Sequence, residues 1–375
     1  MAILGVSGGG IAGMAAALAA ARAGHSVTLF AKPSTGTLAG GMQIAPNGWA
    51  ALEALGLGDQ ARPISIRLND ITVRALDSGA TLIRLPLLEP YASFSRASLT
   101  GLFDEALAAT PNVNRIADNL QHIHQKSGTV TLITEAKAGH KGDRHEVDGL
   151  IAADGQNGPG QHYVTSGAMG TSLIVKIAMR AQVPLAELPP HFAFAGSNLW
   201  LGRGSHIVHY PIDNELNVVV TLPAKNVSEG WQENLIKSNS PLAALAAPSI
   251  SWTQTTLPQA FAAQCWRRGR VVLAGDAAHS MPPHLAQGAG QSLQDAASLL
   301  HHLHHNVEVE TAFAGYARDR AGAVSRIVQK ADISGRVMSL SGPAAHFRDL
   351  ALNLGGPRLM KTWLAEVWAA DPELA

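Results

Sequence analysis

The chain opens on an apolar run, Ala2-Ile3-Leu4-Gly5-Val6, then passes through Gly8-Gly9-Gly10-Ile11-Ala12-Gly13 into an alanine-rich segment over residues 14–23 that stops at Gly24. A short continuous apolar run suits a buried parallel strand, and alanine is the best helix former. Residues 26–30 read as a second strand, and residues 49–55 as a short helix ending at Gly56. Residues 71–76 and 81–85 alternate and are joined by Asp77-Ser78-Gly79, which predicts a hairpin. Three more strands are predicted over 172–179, 206–212 and 216–222, the last two joined by Asp213-Asn214-Glu215. A further apolar strand, 270–273, runs into a Gly275-Asp276 turn, and Gln287-Gly288-Ala289-Gly290 opens a helix. Residues 311–375 read as helical, with breaks at Gly342-Pro343 and Gly355-Gly356-Pro357.

Composition narrows the class. Of 375 residues 46% are hydrophobic and 15% charged, enough to fill a sizeable core and too little charge for a disordered chain. Lys+Arg 28 balances Asp+Glu 28, so no global basic field exists to hold nucleic acid or an anionic membrane surface. Cys265 is the only cysteine, which excludes an internal disulfide and a thiolate metal cluster. The first cation, Arg22, comes too late for a signal peptide, and no apolar run reaches the roughly 18 residues of a membrane span. The expectation is a soluble, cytoplasmic, globular protein.

Gly8, Gly10 and Gly13 match GxGxxG between a strand and a helix. There glycine lets the backbone approach a pyrophosphate, and the helix N-terminus offers unpaired N–H groups. The acid that usually ends the second strand and binds the adenosine ribose is missing: the place reads Phe30-Ala31-Lys32, and the first acidic residue of the chain is Glu53. Ser34 or Thr35 could supply only a neutral, weaker acceptor. The adenosine end is therefore expected to be held less tightly than usual.

These glycines, the segment Leu38-Ala39-Gly40-Gly41-Met42-Gln43-Ile44-Ala45-Pro46-Asn47, Ser95-Arg96-Ala97-Ser98-Leu99, Asp154-Gly155 and the Gly275-Asp276 turn followed by Pro282 together resemble the single-component FAD-dependent aromatic hydroxylases of the para-hydroxybenzoate hydroxylase fold. The resemblance spans most of the chain and is weakest in the middle. It implies an α/β architecture: a Rossmann-like doubly wound FAD-binding domain (1–60, 95–165 and 268–335), an inserted mixed β-sheet substrate domain (61–94 and 166–267) and C-terminal helices (336–375). It implies Asp276 on the ribityl chain, Arg96 on the phosphate-ribityl side, Gln43 near the ribityl chain and ring, and Pro282 beside the isoalloxazine. The Gly288-Ala289-Gly290 backbone would face the pyrimidine end, where N–H groups of a helix N-terminus favour the anionic reduced flavin. Gly158 and Gly160 stand where the family has a serine and an arginine in its Asp-Gly motif. That departure points to weakened NAD(P)H binding and opens a separate flavin reductase as an electron source.

The implied activity is hydroxylation of an aromatic or heteroaromatic small molecule with O2 through a flavin C4a-hydroperoxide, with FAD as cofactor and NAD(P)H as co-substrate. The protein's share is to exclude water, aim the oxygen and stabilise the anionic flavin. A flavin dehydrogenase or reductase on the same fold, and a non-enzymatic flavin binder, are the competing readings. On the strand 206–212, His206, Val208 and Tyr210 share one face and His209 the other. Tyr210, His206 and His284 are the candidates for touching substrate. His301 and His305, four apart, have the spacing to bind zinc adventitiously, but the neighbouring leucines define a buried stripe, and no metal centre is expected. Leu350, Leu354, Leu359, Met360, Trp363 and Trp368 would pack on the flavin domain or on a second copy in a homodimer.

Overall fold

Two contacts that only glycine permits set the first turn. In this computed structural model, which describes residues 1–33, 39–136, 142–167, 176–224, 227, 230–232 and 241–370, the Ile3–Ser7 strand runs into Gly8 at φ +111°. A Cβ on Gly8 would lie 2.1 Å from Ala153 O, and one on Gly13 would lie 1.9 Å from Gly8 O. The Ile11–Arg22 helix follows, three residues ahead of the start its alanines suggest. Ala15 to Ala20 have no exposed surface, because the helix is apolar all round and packs against the Gly288–His305 helix as well as the strands.

Six strands form the first sheet in the order Arg267–Arg268, Val271–Leu273, Gly149–Ala152, Ile3–Ser7, Ser26–Phe30 and Val113–Ile116. All neighbours are parallel except the first pair. A second, seven-stranded sheet is mixed: Thr253–Thr256, Lys176–Pro184, Glu215–Pro223, His206–Ile212, Ser197–Leu201, Asp70–Ala75 and Thr81–Pro86. Its one parallel pair joins Ser197–Leu201 to Asp70–Ala75. The hairpin and the 206–222 pair appear where alternation places them, with Asp213 in the left-handed region at φ +46° in the turn. The strand expected over 172–179 is observed as Lys176–Pro184, and residues 172–175 lie outside the described residues.

A small sheet ties the two layers together. Gly41–Ile44 and Ile66–Arg67 both pair with Ala92–Ser95, so it straddles the boundaries expected at 60/61 and 94/95. From it, Gly40 N–H donates to Gln182 Oε1 at 2.8 Å and Gly41 N–H to Asn217 Oδ1 at 2.9 Å, both on the seven-stranded sheet. Ser93 Oγ–H donates to Pro211 O. The C-terminal region is helical over Val309–Met338 and Gly342–Trp368, and the latter breaks at Gly356 (φ 56°, ψ −153°), where Pro357 cannot continue the ladder. Buried Arg348 secures it by donating to the carbonyls of Gly202, Val337 and Met338. Among the described residues no helix is long and apolar enough to cross a membrane.

One buried charge network fixes the Gly275-Asp276 turn. Asp295, fully buried on the Gly288–His305 helix, accepts from Gly275 N–H (2.9 Å), lies 2.6 Å from His279 Nε2 and accepts from Arg320 Nε (3.0 Å). Arg320 also donates to Gln291 Oε1 and O. Trp266 stacks on His279 with centroids 5.4 Å apart, and Tyr316 O–H donates to Leu273 O. Burial alone would raise the Asp295 carboxyl, but His279 and Arg320 outweigh it and hold its pKa below the usual range. Asp295→Asn is expected to cost about 3–5 kcal/mol of unfolding free energy in urea, because Arg320 is left buried without its counter-charge. Since the folded pKa lies below the unfolded value of about 3.9, this contribution is present above about pH 4 and is lost as pH falls through the folded value. An Asn variant within about 1 kcal/mol of wild type would show that the network does not carry the turn.

Candidate active site

A cavity of about 1020 Å³ lies between the two sheets, closed on one side by the C-terminal helices. Its roof is the inward face of the seven-stranded sheet, where register aligns side chains in rungs. One rung is Ala178, Thr221, His206 and Leu201; the next is Arg180, Val219, Val208, Leu199, Val73 and Ile83; the third includes Gln182, Asn217 and Tyr210. The residues between them point the other way, into a separate core with Trp200, Ile207, Val218, Val220 and Phe192. His209 is on that far face, bonded to Trp200 Nε1 at 3.0 Å, as the alternation requires.

The floor is built from backbone. Gly8, Gly10, Ile11 and Ala12 line one end, and Gly288 and Ala289 another. Gly10 and Gln287 are the N-cap positions of the Ile11–Arg22 and Gly288–His305 helices, and neither makes a side-chain capping bond. Two uncapped helix N-termini therefore meet one cavity, each suited to negative charge. A Cβ added at Gly10 or Gly288 would meet no atom within 4 Å, so the space beside both is open. Asp276 faces the same space; the enclosing walls push its pKa upward, an effect that His279 and Arg96 oppose. Gln43 and Arg96 line the cavity too, and Gln43 hydrogen-bonds Tyr210. Anion-binding N–H groups at one end, a carboxylate in the middle and a second helix N-terminus beyond it fit a flavin dinucleotide.

Other expected residues act from behind the wall. Gly13, Gly275, Pro282 and Gly290 do not line the cavity. A Cβ on Gly275 would fall 2.4 Å from Ala12 Cβ, and one on Gly48 would fall 2.9 Å from Gly290 Cα, so Gly275 and Gly290 permit close packing. Pro282 is buried, and the wall at that point is Pro283. The glycine at 160, where the resemblance leads one to look for an arginine, has a steric reason in this loop. A Cβ at 160 would lie 2.2 Å from Ala152 Cβ, and one at Gly158 would lie 2.3 Å from Asp154 Cγ. Asp154 lines the cavity, accepts from Gly160 N–H at 2.7 Å, and burial raises its pKa. The long polar side chain of this loop is Gln161, fully buried, which accepts from Asn157 N–H and donates to Ala277 O beside the Gly-Asp turn.

His206 and His284 meet across the substrate half with ring centroids 5.2 Å apart in an edge-to-face arrangement. Gly335 makes the room, since a Cβ there would sit 2.2 Å from His284 Cδ2. Nδ1 of each is buried without a partner. Burial, then the neighbouring imidazole, hold the His206 pKa well below 6.5; burial and Lys176 bring His284 down to about 4. Both rings are neutral at pH 7. Burial pushes the Tyr210 phenol upward, so it stays protonated. Arg180 was missed by motif reading; a charged residue amid the apolar 176–184 strand was the available signal. His302, in the same histidine cluster as His301 and His305, is buried and bonded to Asp319.

Residues 1–331 match the family described as FAD binding domain. A 3-hydroxybenzoate 6-hydroxylase of Polaromonas naphthalenivorans (strain CJ2) is 31% identical over 360 residues, 90% of this chain and 88% of that protein. The 3-amino-4-hydroxybenzoate 2-monooxygenase PtmB3 of Streptomyces platensis is 30% identical over 314 residues, 78% of this chain and 76% of the relative. In fold, Klebsiella pneumoniae HpxO complexed with FAD and uric acid superposes with a TM-score of 0.79 at 20% identity, covering 99% of this chain and 97% of that one. The geometry separates two glycines by experiment. Gly10→Ala is expected to leave stability within about 0.5 kcal/mol of wild type yet weaken FAD binding about tenfold or more, because its Cβ enters the cavity. Gly160→Ala should instead cost about 1–3 kcal/mol of stability. Wild-type FAD affinity in Gly10→Ala would move the pyrophosphate away from this turn.

Proposed function

Because the chain belongs to the FAD binding domain family and is a flavin-dependent monooxygenase, we propose that it hydroxylates a phenolic or hydroxylated heteroaromatic ring held under the seven-stranded sheet. The reading is carried by the His206–His284 pair, the two imidazoles lining the cavity among the described residues, each with an unpaired buried Nδ1. Bound FAD would supply oxygen activation, with NAD(P)H as the source of electrons. The chain's own residues do the rest. The helix N-terminus at Gly288 and Ala289 is suited to stabilise negative charge at the ring end of the cofactor. Asp276 would accept hydroxyl hydrogen bonds from its side arm, and Arg96 would balance its phosphate.

Val208, Leu199, Val73 and Ile83 give the substrate half an apolar wall that excludes water and packs on a flat ring. His206 accepts a hydrogen bond from the ring hydroxyl, which raises electron density at the carbon to be hydroxylated; His284 lies against it and shares its desolvated setting. A neutral imidazole can do this at neutral pH, and the depressed pKa keeps it unprotonated well into acid. Tyr210, held protonated and tied to Gln43, serves as a hydrogen-bond donor rather than a base.

His206→Phe is expected to lower kcat/KM for hydroxylation by about 10²–10⁴-fold while leaving the bound-flavin spectrum intact. In the wild type, kcat/KM should hold from neutral pH into acid well past the ordinary imidazole range, because the His206 pKa lies well below 6.5. An acidic inflection near 6.5, the ordinary imidazole value, would place the proton acceptor elsewhere. Product analysis on a panel of hydroxylated benzoates and pyridines decides the reaction; a reduced or desaturated product would favour a dehydrogenase.

A further inference from the structure

The end of the cavity beside the second strand has no acid where one is usual. The residue that ends such a strand normally accepts the ribose hydroxyl hydrogen bonds, and here it is Ala31. Position 31 does adjoin the glycine turn, since a Cβ on Gly9 would lie 2.9 Å from Ala31 Cβ. Three acidic side chains line the cavity among the described residues: Asp154, Asp276 and Glu135. Asp154 is engaged with Gly160 N–H, and Asp276 lies on the Gly-Asp turn toward the other helix N-terminus. The adjoining segments 34–38 and 137–141 contain no Asp or Glu. Glu135 is left.

Glu135 follows the Thr129–Thr134 strand and is brought to the second strand by two contacts. Its backbone N–H donates to Asn119 O at 2.9 Å, and its carboxylate is paired with Lys32 Nζ, one residue past Ala31. Asn119, also on the cavity wall, hydrogen-bonds the Glu135 carboxylate and accepts from Lys32 N–H. The side chain remains 39% exposed and is part of the cavity wall. The hydrogen bond from Lys32 holds its pKa below the usual range, leaving it ionised at neutral pH. A carboxylate with two acceptor oxygens matches a vicinal diol, which a backbone carbonyl or a hydroxyl does less well.

We propose that Glu135 accepts the hydroxyl hydrogen bonds of the adenosine ribose of FAD, in place of the acid absent at Ala31; this rests on the FAD-binding reading above. The acceptor thus comes from the end of a different strand, and its backbone tie to Asn119 positions it. The test is titration of the apo full chain with FAD and with FMN, which lacks the adenosine, followed by visible absorbance and flavin fluorescence. Glu135→Gln is expected to raise the FAD Kd about tenfold and to leave the FMN Kd unchanged. Lys32→Met, which removes only the ion-pair partner, should leave the FAD Kd within about twofold. An unchanged FAD Kd in Glu135→Gln, an equal loss for FMN, or a matching loss in Lys32→Met overturns the inference. A wild-type chain that binds neither flavin overturns the cofactor reading itself, so the two failures are distinct.

Discussion

The buried carboxylate of Asp295 holds the N–H of Gly275, the imidazole of His279 and the guanidinium of Arg320 at once, and so sets three segments relative to one another. The turn that presents Asp276, the strand leading to the prolines and the long Val309–Met338 helix all refer to this one charge. Its burial is costly and is offset only while every partner is in place, which makes the arrangement specific as well as stable. The helix that carries Asp295 also presents its own uncapped N-terminus to the cavity. One element thus supplies both the anchor of the turn and part of the floor.

Much of this was legible in the chain because the signals are local. The glycine turn, the alanine-rich helix and the hairpin follow from residues a few positions apart, and Gly8, Gly10, Gln43, Arg96, Asp276 and His206 stand on the cavity wall. What could not be read depends on contacts between distant segments. Asp295 looks like an ordinary polar residue on an amphipathic helix until Arg320, 25 residues on, and His279 close on it. Glu135 has no motif; its place on the cavity wall depends on a backbone tie to Asn119, sixteen residues earlier.

The glycines show the same limit from the other side. At Gly160 the sequence suggests a lost side chain, whereas Asp154 and Ala152 occupy the volume in which one would stand. At Gly10 the volume is open, and at Gly8 and Gly13 backbone oxygens fill it. One residue type thus serves a ligand approach, a left-handed turn and helix–strand contact, and only the neighbouring atoms distinguish them.

The seven-stranded sheet has a consequence for how such a protein can change over generations. Along each central strand, odd and even positions face opposite ways: Val208 and Val219 line the cavity, while Ile207 and Val220 pack in the separate core. A substitution on the cavity face can therefore reshape which ring is accepted without disturbing the core in which Trp200 and Phe192 pack on the other side. Specificity and stability are thus written on opposite sides of the same two-residue repeat, and a change in one need not be a change in the other.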